Sequence, residues 1–306
     1  MAKVIMICGA PASGKTTVAQ DYINQGYIHL NRHENGKLVD LLSKFKHAMD
    51  VGANVVVENN FPTAESRRPY IELCDDIKCI HVDTSIEESQ INALHRMWKS
   101  HKQIFFTAEL TREANDINIF PVAALFRYRK NHNPPSLSEG FTSVEKVKFQ
   151  RQSLNYENKA LILDYDDTLR YNTGEFGYPC NPSEVRILPN RVKKIKQYQD
   201  AGYILLGVSN QSGIHKGNLR IEDAKACFER TNELLGANID FYFCPHKSNP
   251  PNCYCRKPQS ALGVLLIEKY KLNSQECIFV GDQTSDATFA KRLGFNFYHA
   301  DRFFKA

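Results

Sequence analysis

An apolar run over residues 3–8 leads without a break into Gly9-Ala-Pro-Ala-Ser-Gly14-Lys15-Thr16, and a helix-compatible stretch follows from Lys15 to Ile23. Strand, glycine-rich turn and helix, in that order, is the setting in which GxxxxGK[ST] folds into a phosphate-binding loop, the Walker A pattern. Backbone N–H groups of the turn and of the first helical residues converge on one hollow and attract anions. The pattern places Gly9, Ser13, Gly14, Lys15, Thr16 and Thr17 around the phosphates of a nucleotide. Lys15 would neutralise charge on the transferring phosphoryl, and the Thr16 hydroxyl would reach Mg²⁺.

The rest of residues 1–150 alternates strand and helix. Strands are expected at 28–30, 54–57 and 77–82, and helices at 36–51, 64–74, 85–98 and 121–132. Ser85 and Glu88 form the capping pattern of the third of these helices. Residues 99–120 are irregular. A polar, poorly patterned stretch at 151–159 reads as a linker, and a second alternation then fills 160–306. Both halves therefore read as α/β, each a parallel sheet covered by helices: a P-loop NTPase-type sheet followed by a Rossmann-like domain. A chain of 306 residues with 42% hydrophobic content is long enough for two cores.

No segment has the roughly 18 to 20 uninterrupted apolar residues that span a bilayer, so no membrane partner is expected. The opening apolar stretch is short and runs straight into the loop, which argues against a signal peptide and for the cytoplasm. The formal net charge is +5, of which +1 falls on residues 1–150. Such a balance is compatible with nucleic acid without requiring it.

Four pieces of chemistry recur in order along the second half. Asp164-Tyr-Asp166-Asp167-Thr-Leu169 ends an apolar strand. Ser209-Asn210 ends the next, Lys257 follows a cysteine cluster, and Gly281-Asp282-Gln-Thr-Ser-Asp286 ends a third strand. Two carboxylates at i and i+2 can divide nucleophilic and acid–base work. The set resembles the haloacid dehalogenase superfamily of phosphatases over about residues 156–306. The resemblance implies Asp164 as nucleophile and Asp166 as general acid and then base. It implies Ser209 and Lys257 as phosphoryl ligands, and Mg²⁺ held by Asp164, the Asp166 carbonyl and Asp282. Asp286 would fix Lys257 or a metal-bound water. Asp167 stands where that superfamily usually has glycine.

The nine cysteines divide by context. Cys8, Cys74, Cys79, Cys227 and Cys277 lie in or beside apolar runs and read as buried thiols. Cys244-Pro-His246 and Cys253-Tyr-Cys255 offer three thiolates and one imidazole, a closed four-ligand set suited to a structural Zn²⁺. The alternative is three reduced thiols in a loop. The run Cys255-Arg256-Lys257-Pro258 would connect that metal to the phosphatase lysine. This arrangement resembles the phosphatases of histidinol phosphate and heptose bisphosphate.

In the first half, Asn31-Arg32, Val55-Val-Val-Glu58-Asn-Asn-Phe-Pro62, Ser66-Arg67-Arg68, Tyr128-Arg129-Lys130 and Pro135-Ser-Leu-Ser-Glu139-Gly140-Phe141 resemble the kinase domain of polynucleotide kinase-phosphatases. The resemblance implies a 5′-hydroxyl kinase using ATP and Mg²⁺. In that family an Asp after the Asn-Arg pair accepts the hydroxyl proton. This chain has His33 there with Glu34 next, and either could be the base; His33 is the expectation. Glu58 is either a magnesium partner or a solvated acid. Arg96 is either a lid arginine over the transferring phosphoryl or a solvated helix residue. Together the two resemblances lead us to expect healing of nucleic-acid ends: 5′-hydroxyls phosphorylated and 3′-phosphates removed. DNA or RNA ends are the expected partners, and by analogy with end repair so is a nucleic-acid ligase. The alternative is a small-molecule kinase fused to a sugar-phosphate phosphatase.

Overall fold

The computed structural model describes residues 2–32, 36–248 and 252–305. The chain divides into two compact units. One comprises Met1–Ala93 and Arg112–Gln152, the other Leu94–Thr111 and Ser153–Ala306.

The first unit is built on five parallel strands, β1 (Val4–Gly9), β2 (Ile28–Asn31), β3 (Val55–Glu58), β4 (Ile77–Val82) and β5 (Ser143–Val147), in the order β2-β3-β1-β4-β5. β1 and β3 are buried along their whole length, as β-branched strands covered on both faces should be. One face packs Met6, Val55, Val57 and Cys79 against Leu41 and Phe45 of the helix Leu38–Asp50. The other packs Ile5, Ile7, Val56 and Ile80 against Ala19 of α1 (Lys15–Ile23). β5 was not expected. Its residues are half-exposed, and it pairs with β4 at the sheet edge.

The second unit repeats the plan with β6 (Ala160–Leu163), β9 (Ile204–Asn210), β10 (Asp240–Cys244), β11 (Ile278–Gly281) and β12 (Asn296–His299), ordered β10-β9-β6-β11-β12 and all parallel. β7 (Arg170–Asn172) and β8 (Val185–Ile187) form a separate antiparallel pair. In both sheets the loops that carry chemistry leave the carboxyl ends of neighbouring strands, where open α/β sheets build sites.

Residues 94–111 were expected in the first half and group with the second unit instead. Ile104 and Phe105 are buried, the Tyr254 N–H donates to the Phe106 carbonyl at 2.8 Å, and Thr107 bridges Cys253. Pairing of an irregular segment with a distant loop leaves no periodic trace in sequence. Among the described residues no helix is long and apolar enough to cross a membrane.

Candidate active sites

β1 delivers the phosphate loop. Gly14 adopts φ +97°, which L side chains rarely do, and a Cβ there would overlap the ring of Phe149. The Thr84 hydroxyl donates to the Ser13 carbonyl at 2.8 Å, and Asn92 Nδ2 donates to the Ala12 carbonyl at 3.0 Å. The loop is therefore fixed from several sides before any ligand arrives. Lys15 Nζ folds across it and donates to the carbonyls of Gly9 (3.2 Å) and Ala10 (2.8 Å) and to Asn60 Oδ1 (3.2 Å). These are weak partners that a phosphate oxygen would outcompete.

Glu58 is the residue that the sequence under-read. It is buried at the end of β3, directly beside β1, and its Oε1 accepts from the Thr16 hydroxyl at 2.8 Å. Its other oxygen is buried with no hydrogen-bond donor among the described residues. A buried carboxylate without a full set of donors is costly, so Thr16 and Glu58 fit a hard divalent cation. Only the sheet order, which sequence spacing does not show, brings them together. Next to the loop a cavity of about 570 Å³ is lined by Pro11, Arg32, Phe61, Tyr128 and Arg127, among others. His33 and Glu34, the two candidates for the base, lie outside the described residues. Arg96 lies in the stretch that groups with the second unit, where its charge acts on Tyr254.

The second site forms around Lys257, which is 4% exposed. Its ammonium contacts Asp164 Oδ1 at 2.7 Å, Asp286 Oδ1 at 2.7 Å and the Val208 carbonyl at 2.8 Å. Burial works against that charge, but the two carboxylates outweigh it and hold the lysine protonated. Burial pushes Asp164 up, to about 7, with Lys257 opposing and Asp286 adding to the rise. Oxygens of Asp164, Asp282 and Asp286 lie within 4.8 Å of one another. Three carboxylates against one cation leave an excess of negative charge, and an all-oxygen set of this kind suits Mg²⁺.

The acid–base candidate is held separately. Asp166 Oδ1 accepts from Arg170 Nε at 2.9 Å and Oδ2 from Gln211 Nε2 at 2.8 Å, while the same Gln211 amide donates to Ser209 Oγ at 3.0 Å. Arg170 is buried between Tyr165 and Phe228 and also donates to the Cys227 carbonyl and Thr231 Oγ1. Sequence reasoning found neither Arg170 nor Gln211, since their roles depend on turns that bring them back to Asp166. Asp167 takes φ 58°, the left-handed conformation that favours glycine. Asn210 clamps Lys257 by donating from Nδ2 to its carbonyl (3.1 Å) and accepting from its N–H (3.0 Å).

Cys244 closes β10, and the Cys253–Cys255 turn folds back onto it. Cys244 Sγ lies 3.7 Å from Cys253 Sγ and 3.4 Å from His246 Nδ1, which is 3.1 Å from Cys255 Sγ. A disulfide needs sulfurs about 2.05 Å apart, whereas two thiolates on a tetrahedral zinc with bonds of about 2.3 Å sit roughly 3.8 Å apart. All four donor atoms fall within 4.8 Å of one another. The donor set and its spacing fit a zinc ion.

The family model for the polynucleotide kinase 3 phosphatase matches residues 159–304. A probable D-glycero-D-manno-heptose-1,7-bisphosphate 7-phosphatase of Thermoplasma volcanium is 35% identical over 140 residues, 44% of this chain and 93% of that protein. A bifunctional polynucleotide phosphatase/kinase of Schizosaccharomyces pombe is 27% identical over 175 residues, 55% of this chain but 36% of its own length. Among solved structures, a D,D-heptose 1,7-bisphosphate phosphatase from B. bronchiseptica aligns with a TM-score of 0.42 and 24% identity, covering 46% of this chain and 79% of its own. Through its second unit the chain thus belongs to the family of haloacid dehalogenase-type phosphatases that includes the Thermoplasma relative, and it is an enzyme that joins such a phosphatase to a unit with a P-loop.

Proposed function

We propose that the chain heals nucleic-acid ends, phosphorylating 5′-hydroxyls with ATP and removing 3′-phosphates. The observation that carries this reading is the presence in one chain of a formed phosphate loop and of a buried Asp164–Lys257–Asp286 cluster suited to an aspartate nucleophile. On one small metabolite, two such activities would undo each other. At the two sides of a broken strand they give ligatable 5′-phosphate and 3′-hydroxyl termini. The matches to the polynucleotide kinase 3 phosphatase model and to the fission-yeast protein support it. DNA or RNA ends would be the substrates, and a nucleic-acid ligase the partner that takes the product.

In the kinase unit Lys15 would leave the loop carbonyls for the phosphates of ATP, and Thr16 and Glu58 would hold Mg²⁺, which would offset phosphate charge. A proton acceptor at His33 or Glu34 would take the 5′-hydroxyl proton. In the phosphatase unit an oxygen of Asp164 attacks phosphorus and the bond to the 3′-oxygen breaks. Asp166 protonates that leaving oxygen. It then takes a proton from the water that cleaves the aspartyl-phosphate. Lys257 and Ser209 hold the phosphoryl oxygens. A magnesium ion at Asp164, the Asp166 carbonyl and Asp282 would offset the charge gathered there. Zinc at Cys244, His246, Cys253 and Cys255 would be structural and would fix the turn that carries Lys257.

A second reading, hydrolysis of a sugar bisphosphate, is favoured by the cysteine–histidine loop and by the Thermoplasma relative. One experiment separates the two. DNA and RNA oligonucleotides with 5′-hydroxyl and 3′-phosphate ends are incubated with ATP and Mg²⁺ and with wild type, Lys15→Ala or Asp164→Ala. We expect 5′ labelling to be lost only in Lys15→Ala and 3′ dephosphorylation only in Asp164→Ala. Turnover of a sugar bisphosphate with no change at either end would overturn the proposal.

A further inference from the structure

Between β7 and β8 the chain makes an excursion over residues 173–184 that none of the catalytic roles above accounts for. It is tied to the phosphatase machinery from both sides. Arg170, at its start, holds Asp166. Further along, the ring of Tyr178 lies so close over Gly213 that a Cβ at 213 would overlap it. Gly213 is two residues beyond Gln211, the amide that joins Asp166 to Ser209. Cys180 Sγ donates to the Asn218 carbonyl at 3.6 Å, a second stitch to the same loop.

On this base stands an aromatic shelf. Phe176 stacks on Tyr178 with centroids 5.8 Å apart and planes 12° from parallel, yet it is 39% exposed. Tyr171 on β7 is 43% exposed. The loop under the shelf continues into His215 and Lys216, both exposed. Leaving a phenylalanine half in water forgoes stabilisation, since burying such a ring is worth roughly 2 kcal/mol. Two stacked rings, the outer one 39% exposed, packed on the loop that runs from Gln211 to the exposed Lys216, match what binds single-stranded nucleic acid: a π-surface for a base and a cation for the backbone.

We propose that Phe176, backed by Tyr178, is the stacking platform for the nucleobase of the 3′-terminal nucleotide, and so a specificity determinant for polynucleotide over sugar phosphates. The inference rests on the end-healing reading. Stacking accepts any base, so the shelf confers no sequence preference.

The test uses the full chain and three phosphatase substrates: an oligonucleotide with a 3′-phosphate on an ordinary terminal nucleotide, the same oligonucleotide with an abasic 3′-terminal residue, and β-glycerophosphate. Stacking worth about 1–3 kcal/mol per base predicts that Phe176→Ala raises KM for the ordinary end roughly 5- to 150-fold. The abasic end and β-glycerophosphate should be turned over by the variant as by wild type, which also shows that its site is intact. Phe176→Trp should restore the low KM. In the Asp164→Asn background, 2-aminopurine at the 3′ terminus should be quenched on binding, and Phe176→Ala should remove that quenching. A wild-type KM in Phe176→Ala, or a wild type that does not distinguish ordinary from abasic ends, overturns the shelf and leaves end healing standing. A wild type that removes no 3′-phosphate from any oligonucleotide overturns end healing, and the shelf with it.

Discussion

Replacing Arg170 by Met tests whether Asp166 depends on its buried partner. The guanidinium donates to Asp166 at 2.9 Å, to the Cys227 carbonyl at 2.8 Å and to Thr231 Oγ1 at 2.9 Å. Methionine keeps the apolar bulk between Tyr165 and Phe228, so packing changes little. The Cys227 carbonyl keeps a donor in Thr231 Oγ1, at 2.7 Å. The loss therefore concentrates on Asp166, whose carboxylate retains Gln211 and is 21% exposed. Breaking a fully buried pair costs about 3–5 kcal/mol, and a hydrogen bond to a charged group about 1.5–3. Partial exposure puts Arg170→Met near roughly 2–3 kcal/mol of stability. The larger effect should be on rate. A catalytic carboxylate displaced by about 1 Å loses on the order of 10²-fold, so phosphatase kcat should fall by about that factor with KM nearly unchanged. Kinase turnover, measured by 5′ labelling in the same preparation, should hold and serves as the control for folding. Because the effect acts through Asp166, Arg170→Met added to Asp166→Asn should cost little more. Full additivity in that cycle, or a single-variant kcat within about twofold of wild type, would refute the reasoning.

Asp167→Gly should stabilise the protein by at most about 1 kcal/mol, because it relieves a left-handed φ of 58° and removes a carboxyl that burial, then Asp282 and Asp166, push upward. A lower urea midpoint for the variant would count against this. His81, buried on β4, is pushed down from 6.5 to about 4, by burial first and then by His132. The unfolded chain takes up this proton below its ordinary pKa and the folded chain only near 4. Stability should therefore be full above about pH 6.5 and fall toward pH 4, by at most roughly 3 kcal/mol. His81→Gln should flatten that part of a urea-midpoint profile, and an unchanged slope would show that His81 does not cause it.

Asp164 and Ser209 were legible as site candidates because each lies at the end of an apolar strand, and strand ends of parallel sheets gather at one edge. Lys257 meets Asp164 and Asp286 in the structure, and Ser209 is joined to Asp166 through Gln211. The residues that went unread are those whose role depends on the return path of the chain. Arg170 lies four residues beyond Asp166 and reaches it only because the turn closes with the Asp167 N–H donating to the Arg170 carbonyl at 2.8 Å. Glu58 stood open in sequence between a magnesium partner and a solvated acid, and the order β2-β3-β1 puts it against Thr16. The helix expected over 64–74 runs from Ala64 to Ile71: Thr63 caps its start, and nothing in the sequence pattern marked its end. The strand Ser143–Val147 alternates weakly because, at a sheet edge, few of its side chains need to be apolar.

The core of the phosphatase site cannot by itself separate the two substrate readings, and the geometry shows why. In the proposed mechanism Asp164, Lys257 and the neighbouring carboxylates would address a phosphoryl group, which a 3′-phosphate and a sugar phosphate share. The cysteine–histidine turn acts one step further out. Cys255 sits two residues before Lys257, and Asn210 holds Lys257 through both its carbonyl and its N–H, so a metal there would set the lysine and sense nothing of the leaving group. Discrimination must come from elements that touch the rest of the substrate. In the described part of this unit, the excursion from Thr173 to Glu184 is fastened to the loop carrying Ser209 and Gln211 and still exposes a stacked ring. Resemblance around the metal turn is thus weak evidence about substrate, and the behaviour of Phe176 variants on ordinary and abasic ends is strong evidence.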